Sequence, residues 1–585
     1  MDRRRFLIHG AAAAGSAALA GCDRLDETAG RFLAGLGLSE LEPAVLRPGM
    51  AQGHALRDAQ RWPAPDGELQ TEVAILGSGA AGLSAAWQLA HAGLRDFVVV
   101  DGPESGGNAA AGRFGPLGFP RGAHYLPLPS PESAHVREML ADLGVIEQDP
   151  FGMRPRFDER VLVHAPDERV FFAGRWQDGV LPAEGIGADD AAQCARFFAR
   201  VEGLKQARGS DGRKAFAIPL ALSSRDPAWT ALDRTTLRQW LLDEGFTSPL
   251  LHTYADYCCR DDYGAGHGAI SAWAGLHYFA SRGGHAQNAA DGAVLTWPDG
   301  LHGMVRLLTA RVDHLLGTRP GAQAQGWRRA GMALRVEEQR DGVTVLCASW
   351  PACNGSGDAS CAGPLPPPRT WRLRARRVIC AMPLHVAGRL LPLGRFGFDA
   401  ARHLPAHAAW LVSNFRLQGF PAEAEGVPLA WDNVVHGSRA LGYVVATHQW
   451  IRQARPAQTV FTAYCPLDAA ALGPAGAAYG AEPGAPDAVR HWLAQASPAE
   501  LMDYAVTDLR QVYGRAFWRH ADRVEITARG HAMASPRPGF LGNAGTAALR
   551  AADGRILFAH ADLSGLSVFE EAAWWGTRAA LRIVG

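Results

Sequence analysis

The chain has 585 residues, with 58 Lys and Arg against 58 Asp and Glu and 48% hydrophobic side chains. That length suffices for two large interwoven domains with buried cores, and a net charge of zero argues against nucleic acid as a partner. Beyond the first residues, no uninterrupted apolar run is long enough to cross a bilayer.

The N-terminus, Asp2-Arg3-Arg4-Arg5-Phe6-Leu7, resembles a twin-arginine export signal, with Asp2 where Ser or Thr is usual. A mildly apolar, alanine-rich run at 11–20 follows, too short to span a membrane. It ends in Leu19-Ala20-Gly21-Cys22, which resembles a bacterial lipoprotein cleavage box. Residues 1–22 are therefore expected to be the signal and Cys22 the lipidated residue. Asp23 resembles an inner-membrane retention signal. The twin-arginine route carries folded proteins, which suits a chain that must load a dinucleotide before export. The expected location is the periplasm, anchored to the membrane by lipid, with the inner membrane favoured over the outer.

Residues 23–70, with Pro43, Pro48, Pro63 and Pro65, read as a tether and a packed arm. A nucleotide domain opens at 71 and its first part runs to 130. An apolar strand pattern at 73–76 leads into Gly77-Ser78-Gly79-Ala80-Ala81-Gly82, then a helix pattern through Leu83, Ala86 and Leu89. A second apolar run at 97–100 closes on Asp101. Gly77 permits the tight turn, Gly79 lets a pyrophosphate approach the backbone, and Gly82 lets helix and strand pack closely. The helix N-terminus offers free N–H groups to phosphates, and Asp101 stands where an acid accepts bonds from a ribose. The strand, turn, helix, second strand and acid in register predict a dinucleotide site.

Residues 131–290 read as a helical cap, the first part of a substrate domain. The nucleotide domain resumes at 291–383. It holds a helix start at Thr296-Trp297-Pro298-Asp299-Gly300, a hairpin from 333–338 to 343–348, a Pro/Gly/Ser-rich loop insertion at 351–368 and a buried strand at 377–381. Alternating runs at 410–415, 443–447 and 459–464 make 384–537 a second substrate part built on an antiparallel sheet, with a glycine-alanine loop at 469–486. The last nucleotide part, 538–585, contains a strand at 555–562 and a helix at 567–583.

Eight cysteines lie beyond Cys22. Cys353 and Cys361 make the most accessible disulfide pairing, although spacing cannot prove it, and Cys258-Cys259 reads as two buried thiols rather than a redox pair. No Cys or His spacing suggests a metal.

The terminal segment, Arg555-Ile556-Leu557-Phe558-Ala559-His560-Ala561-Asp562, resembles the C-terminal signature of the flavin amine oxidase and phytoene desaturase superfamily. Ala561 stands where Gly is usual, and 570–578 runs in step with the family's last helix. Gly106-Gly107-Asn108 and Phe119-Pro120-Arg121-Gly122-Ala123-His124 are similar to family segments that follow the second strand. The resemblance implies a non-covalent FAD, with Asp562 on the ribityl chain and a helix N-terminus aimed at the isoalloxazine. It implies an α/β fold in which a Rossmann-type FAD-binding domain is interleaved with a mixed or antiparallel-sheet substrate domain and a helical cap. Expected cofactor contacts are Gly77, Gly79, Ala80, Ala81, Gly82, Asp101, Gly106, Gly107, Asn108, Arg113, Asp562 and Val568.

The family's amine oxidases carry a lysine that holds a water against the flavin and a tyrosine at the start of the last helix. Here the two lysines, Lys205 and Lys214, lie in the helical middle, and Val568 occupies the tyrosine's position. His124 and Tyr125 are the candidate catalytic groups, with His560 beside the cofactor strand, and Trp574 and Trp575 read as core. The expected function is an FAD-dependent oxidoreductase taking a hydride from a small organic substrate, reoxidised by O2, a membrane quinone or a redox partner. Alternatives are an amine or polyamine oxidase, a lipid or isoprenoid desaturase or isomerase, and a non-catalytic FAD-binding lipoprotein partner.

Overall fold

Along the strand Glu68–Leu76, the last four residues are buried on both faces. Val73 and Ile75 enter one core with Leu83 and Trp87, while Ala74 and Leu76 enter another with Val345 and Leu373. Two-sided burial is what a near-continuous apolar run encodes, and it is the setting of a parallel sheet. The computed structural model describes residues 41–59, 61–317, 326–350, 365–424, 426–452, 454–468 and 486–585. The expected leader with Cys22, the Cys353 and Cys361 pair and most of the glycine-alanine loop lie outside the described residues.

Glu68–Leu76 pairs in parallel with Phe97–Val100 on one side and with Arg369–Cys380 on the other. Arg369–Cys380 is long enough to serve two partners along its far edge. Its first half takes the hairpin strand Val343–Ser349 antiparallel, and its end takes the terminal strand Ile556–Phe558 in parallel. Three distant stretches of sequence thus close one nucleotide sheet. The helix Phe569–Val584 returns to pack on the helix Ala80–His91, where Gly576 lies against the Ala81 backbone.

The second sheet has the strand order Ala44–Leu46, Ala521–Ala534, His407–Gln418, Gln458–Leu467, Tyr443–Val445, Asp432–Val435, Glu168–Phe172, Arg175–Asp178. It is mixed: its first pair and the pair Asp432–Val435 with Glu168–Phe172 are parallel. Side chains alternate across it as the two-residue period requires. Leu411 and Phe415 pack under helices with Trp492 and Phe517, while Trp410 and Val412 face the opposite way with Trp431 and Tyr464. That second face looks toward the helical region and becomes a wall of the site.

The stretch 131–290 is less helical than its sequence suggests. The helices Ala188–Gln206, Pro249–Tyr263 and Ala272–Ala280 share a core, but Glu168–Phe172 and Arg175–Asp178 form a hairpin that joins the second sheet. Its two-residue turn, Ala173-Gly174, has both φ values positive, 49° and 83°. That is the primed turn matching strand twist, reached here without the usual Asn or Asp. The arm also does more than tether, since Ala44–Leu46 adds a strand beside Ala521–Ala534. The terminal strand is shorter than expected: Ile556–Phe558 is followed by a turn of 3-10 helix at Ala561–Leu563. Cys258 and Cys259 are buried free thiols. Among the described residues, no helix is long and apolar enough to cross a membrane.

Candidate active site

The glycine turn forms as the sequence dictates. Gly77 has φ +116°, and a Cβ there would lie 2.5 Å from the Ala381 carbonyl oxygen. A Cβ on Gly82 would lie 1.8 Å from the Gly77 oxygen, so neither position admits a side chain. Gly79 differs: its Cβ would meet nothing nearer than the Gly106 oxygen at 3.9 Å. It caps the helix Ala80–His91 without any side-chain bond, so the N–H groups of the first turn, at Ala80 and Ala81, have no side-chain cap. Ser78 ties the second glycine loop to the first, its hydroxyl donating to the Asp101 carbonyl at 3.0 Å and accepting from Gly106 N–H at 3.3 Å. Gly107 sits against Gly79, and Asn108 donates through Nδ2 to the Ala532 carbonyl. Open space in front of an uncapped helix N-terminus between two glycine loops fits a pyrophosphate.

Two expected contacts are placed differently. Asp101 accepts both Nε and Nη2 of Arg328 through Oδ1, at 3.0 and 2.6 Å, so any ribose there meets an acid already held by a guanidinium. Arg113 departs from the expectation. It is exposed and turns back onto the Gly115 and Pro116 carbonyls, because strand alternation in Ala111–Phe114 sends Gly112 and Phe114 inward and Arg113 out.

Asp562 is fully buried, and its carboxylate is already partnered. Oδ2 accepts from Leu384 N–H at 2.9 Å, and Oδ1 faces His407 Nε2 at 2.9 Å. The acid expected on a ribityl chain thus also holds protein groups, with one partner on each oxygen. Burial works to raise Asp562, but the His407 charge outweighs it and holds the carboxyl well below its usual value. Burial works to lower His407, and Asp562 overrides that and raises it. His560 accepts the Asp562 N–H through Nδ1 at 3.1 Å, so it caps a turn.

His124 and Tyr125 keep partial exposure where the second sheet meets the helical region, and with the rings around them they line a cleft there. His124 stacks on Tyr464 with centroids 4.3 Å apart and lies 5.7 Å from Trp431. Burial lowers it to about 3, which leaves the ring neutral. The Tyr125 hydroxyl donates to Asp261 Oδ2 at 3.1 Å, and burial followed by the Asp261 charge raises its pKa well above the usual phenol value.

Sequence reading missed the acids around these rings. Asp261 is raised to about 6 by burial and then by the neighbouring Asp262 charge. Asp432 is raised well above the carboxylate range by burial, then by Glu168 and Asp261. Glu168, cross-strand partner of Asp432, is raised to about 7 by burial and then Asp167, although it keeps water-accessible surface, as a cleft-lining residue does. Arg282 pairs with Asp262 and lies 4.2 Å over the Tyr278 ring, whereas Asp261, Asp432 and Glu168 have no ion-pair partner among the described residues. Tyr257 completes the group, held up by burial and then by Asp432 and Asp261. One signal was legible: Tyr254, Tyr257 and Asp261 fall three and four apart on the helix Pro249–Tyr263, on a single face.

Val568, the N-cap residue of the terminal helix, lines a small void with Tyr278, Arg282 and Asp262.

Residues 75–143 match the model of an NAD(P)-binding Rossmann-like domain. No curated protein matches the chain in sequence. In structure it is similar to a putrescine oxidase bound to putrescine, with TM-score 0.59, 17% identity and coverage of 88% of this chain and 99% of that one. It is also similar to the cyclohexylamine oxidase from Brevibacterium oxydans IH-35A, with TM-score 0.55, 18% identity and coverage of 88% and 98%. A CLA-producing fatty acid isomerase from P. acnes follows at TM-score 0.52, 14% identity and coverage of 88% and 98%. The chain therefore has an amine oxidase-like α/β fold built on a Rossmann-like nucleotide domain.

Proposed function

We propose that the chain is an FAD-dependent oxidoreductase whose substrate is a cationic organic amine. The observation that carries this reading is the cluster in which Asp261, Asp432 and Glu168, none with an ion-pair partner among the described residues, stand with Tyr125, Tyr257, Trp431 and Tyr464. Burial first, and then the charges of neighbouring carboxylates, raise these acids, with Arg282 only partly offsetting the effect at Asp261; an ammonium group among them would supply further relief. Aromatic faces add cation–π attraction and exclude water. An anionic substrate such as a fatty acid would meet the same acids as repulsion, so the isomerase relative is the weaker guide. The fold shared with a putrescine and a cyclohexylamine oxidase supports the reading.

A bound FAD would supply hydride acceptance. Gly77, Gly79 and Gly82, with the first-turn amides of Ala80 and Ala81 and with Gly106 and Gly107, would hold its phosphates. This chain's own residues then bind and orient the substrate. The acids fix its ammonium, His124 and Tyr464 form a flat wall, and Tyr125 is held as a neutral phenol by Asp261. We further propose export with lipid attachment at Cys22, which would set reoxidation beside membrane acceptors, with O2 as the alternative.

The test is a visible spectrum of the purified protein, then anaerobic mixing with primary amines, diamines, polyamines, amino acids and unsaturated fatty acids. A flavin band bleached by amines is the expected result. Bleaching by fatty acids alone would overturn the substrate class, and a colourless protein would overturn the cofactor.

A further inference from the structure

The ring of His407 opens the strand His407–Gln418 with its side chain only 6% exposed. Its Nδ1 lies 2.9 Å from the Pro405 carbonyl oxygen, and its Nε2 lies 2.9 Å from Asp562 Oδ1. Both neighbours are acceptors. A neutral imidazole has one N–H, so it would leave one of these contacts without a proton, whereas an imidazolium fills both. Asp562 is fixed from behind by Leu384 N–H, which keeps its other oxygen occupied.

Two more imidazoles stand in front. His385 and His531 stack with centroids 4.2 Å apart and planes 22° from parallel, and lie 5.4 and 6.0 Å from the His407 ring. The Nδ1 of His385 is buried without a partner, and the charge of His407 helps keep both rings neutral. The three rings offer nitrogens within 4.8 Å of one another, a spacing that suits a metal ion after small shifts. With both nitrogens of His407 donating, however, that ring has no lone pair to give.

The cluster sits where the cofactor contacts converge. Ala532, next to His531, takes the Asn108 amide, and Asn108 follows Gly106 and Gly107. Leu384, next to His385, holds Asp562, and Ala381 just upstream is the crossing point of Gly77 and Gly82. We propose that His407 is a positioning group of the flavin site, a permanently charged imidazolium locked between Pro405 and Asp562. This rests on the FAD reading above. The imidazolium cancels the Asp562 charge, which left uncompensated would oppose the charge a flavin gains on reduction, and the lock spares the site any reorganisation.

The test uses the flavin-loaded protein and has two parts. In the first, midpoint potentials are measured for wild type, His407→Gln, His407→Lys and Asp562→Asn from pH 6 to 9. Expected are a more negative potential in His407→Gln, recovery toward wild type in His407→Lys, and a new pH-dependent step in Asp562→Asn. In the second, 15N NMR of histidine-labelled wild type should show one imidazole doubly protonated up to pH 9. This part needs no variant to fold. An unchanged potential in flavin-replete His407→Gln, or no persistently charged imidazole, would overturn the proposal. Stoichiometric zinc in the purified protein, lost in His531→Ala, would also overturn it, since a metal ligand is not an imidazolium. Wild type without flavin would overturn the cofactor reading instead, and the NMR would still decide the charge of His407.

Discussion

The glycine cradle and the aromatic cavity are built in opposite ways. The cradle lies mainly within residues 77–108, held by backbone geometry, and its central position, Gly79, has open space around it. The cavity is assembled from the strand Glu168–Phe172, the helix Pro249–Tyr263, the strand Asp432–Val435 and the strand Gln458–Leu467, and it concentrates unpaired charge. The first binds by what it leaves out. The second binds by holding an electrostatic imbalance that its ligand relieves, which costs the protein without ligand some stability.

The sharpest way to separate the two is Gly79→Val. The backbone at Gly79 is extended, φ −71° and ψ −175°, so valine fits it while its methyls fill the cradle. The expected product is folded protein without flavin, with a melting temperature near that of the wild-type apoprotein. Normal yellow protein would break the account of the cradle.

Next in size is Asp432→Asn. Hydrogen bonds to charged groups are worth about 1.5–3 kcal/mol, so KM for an amine should rise roughly ten- to hundredfold with kcat little changed. The same variant should melt higher than wild type in the absence of substrate, because it removes a carboxylate whose ionisation is opposed by Glu168 and Asp261. A fall in both KM and melting temperature would contradict the cavity's role.

The pH dependence sharpens the contrast further. Asp261 and Glu168 sit at about 6 and 7, so their charge grows as pH rises from 6 to 8. KM for an amine that stays protonated should fall several-fold over that range in steady-state assays. The stability sign is opposite. Folded pKa values raised above the unfolded ones mean that the folded state holds extra protons between about pH 4 and 7, and stability falls across that window. Glu168→Gln should reduce the loss of melting temperature between pH 5 and pH 8.

Asp101→Ala should weaken flavin retention only a few-fold in dialysis, since Arg328 and the glycine loops remain. The smallest catalytic effect belongs to Cys22→Ala. That variant should move from the membrane to the soluble fraction with kcat for an artificial acceptor unchanged.

The same division explains what was readable in the sequence. The dinucleotide turn, the hairpin before Arg369–Cys380 and the terminal helix are short-range patterns, and they appear within a few residues of their expected places. Glu168 and Asp432 meet only because a hairpin turning at Ala173-Gly174 inserts into a sheet formed mostly by residues beyond 400. No local period encodes that pairing. Asp562 was visible as an acid, but its partner His407 is 155 positions away, so its buried role was not. Arg113 was expected at the cofactor, but strand alternation in Ala111–Phe114 sends it outward.

The central claim is that a cation relieves the buried acids in front of a catalytic flavin. Anaerobic stopped-flow reduction of the flavin tests it most directly, comparing a primary amine with an uncharged isostere such as the matching alcohol, in wild type and Asp432→Asn. The account predicts rapid bleaching by the amine and none by the alcohol, with the amine's apparent affinity weakened in the variant. Equal reduction by the two, or amine affinity untouched by Asp432→Asn, would contradict it.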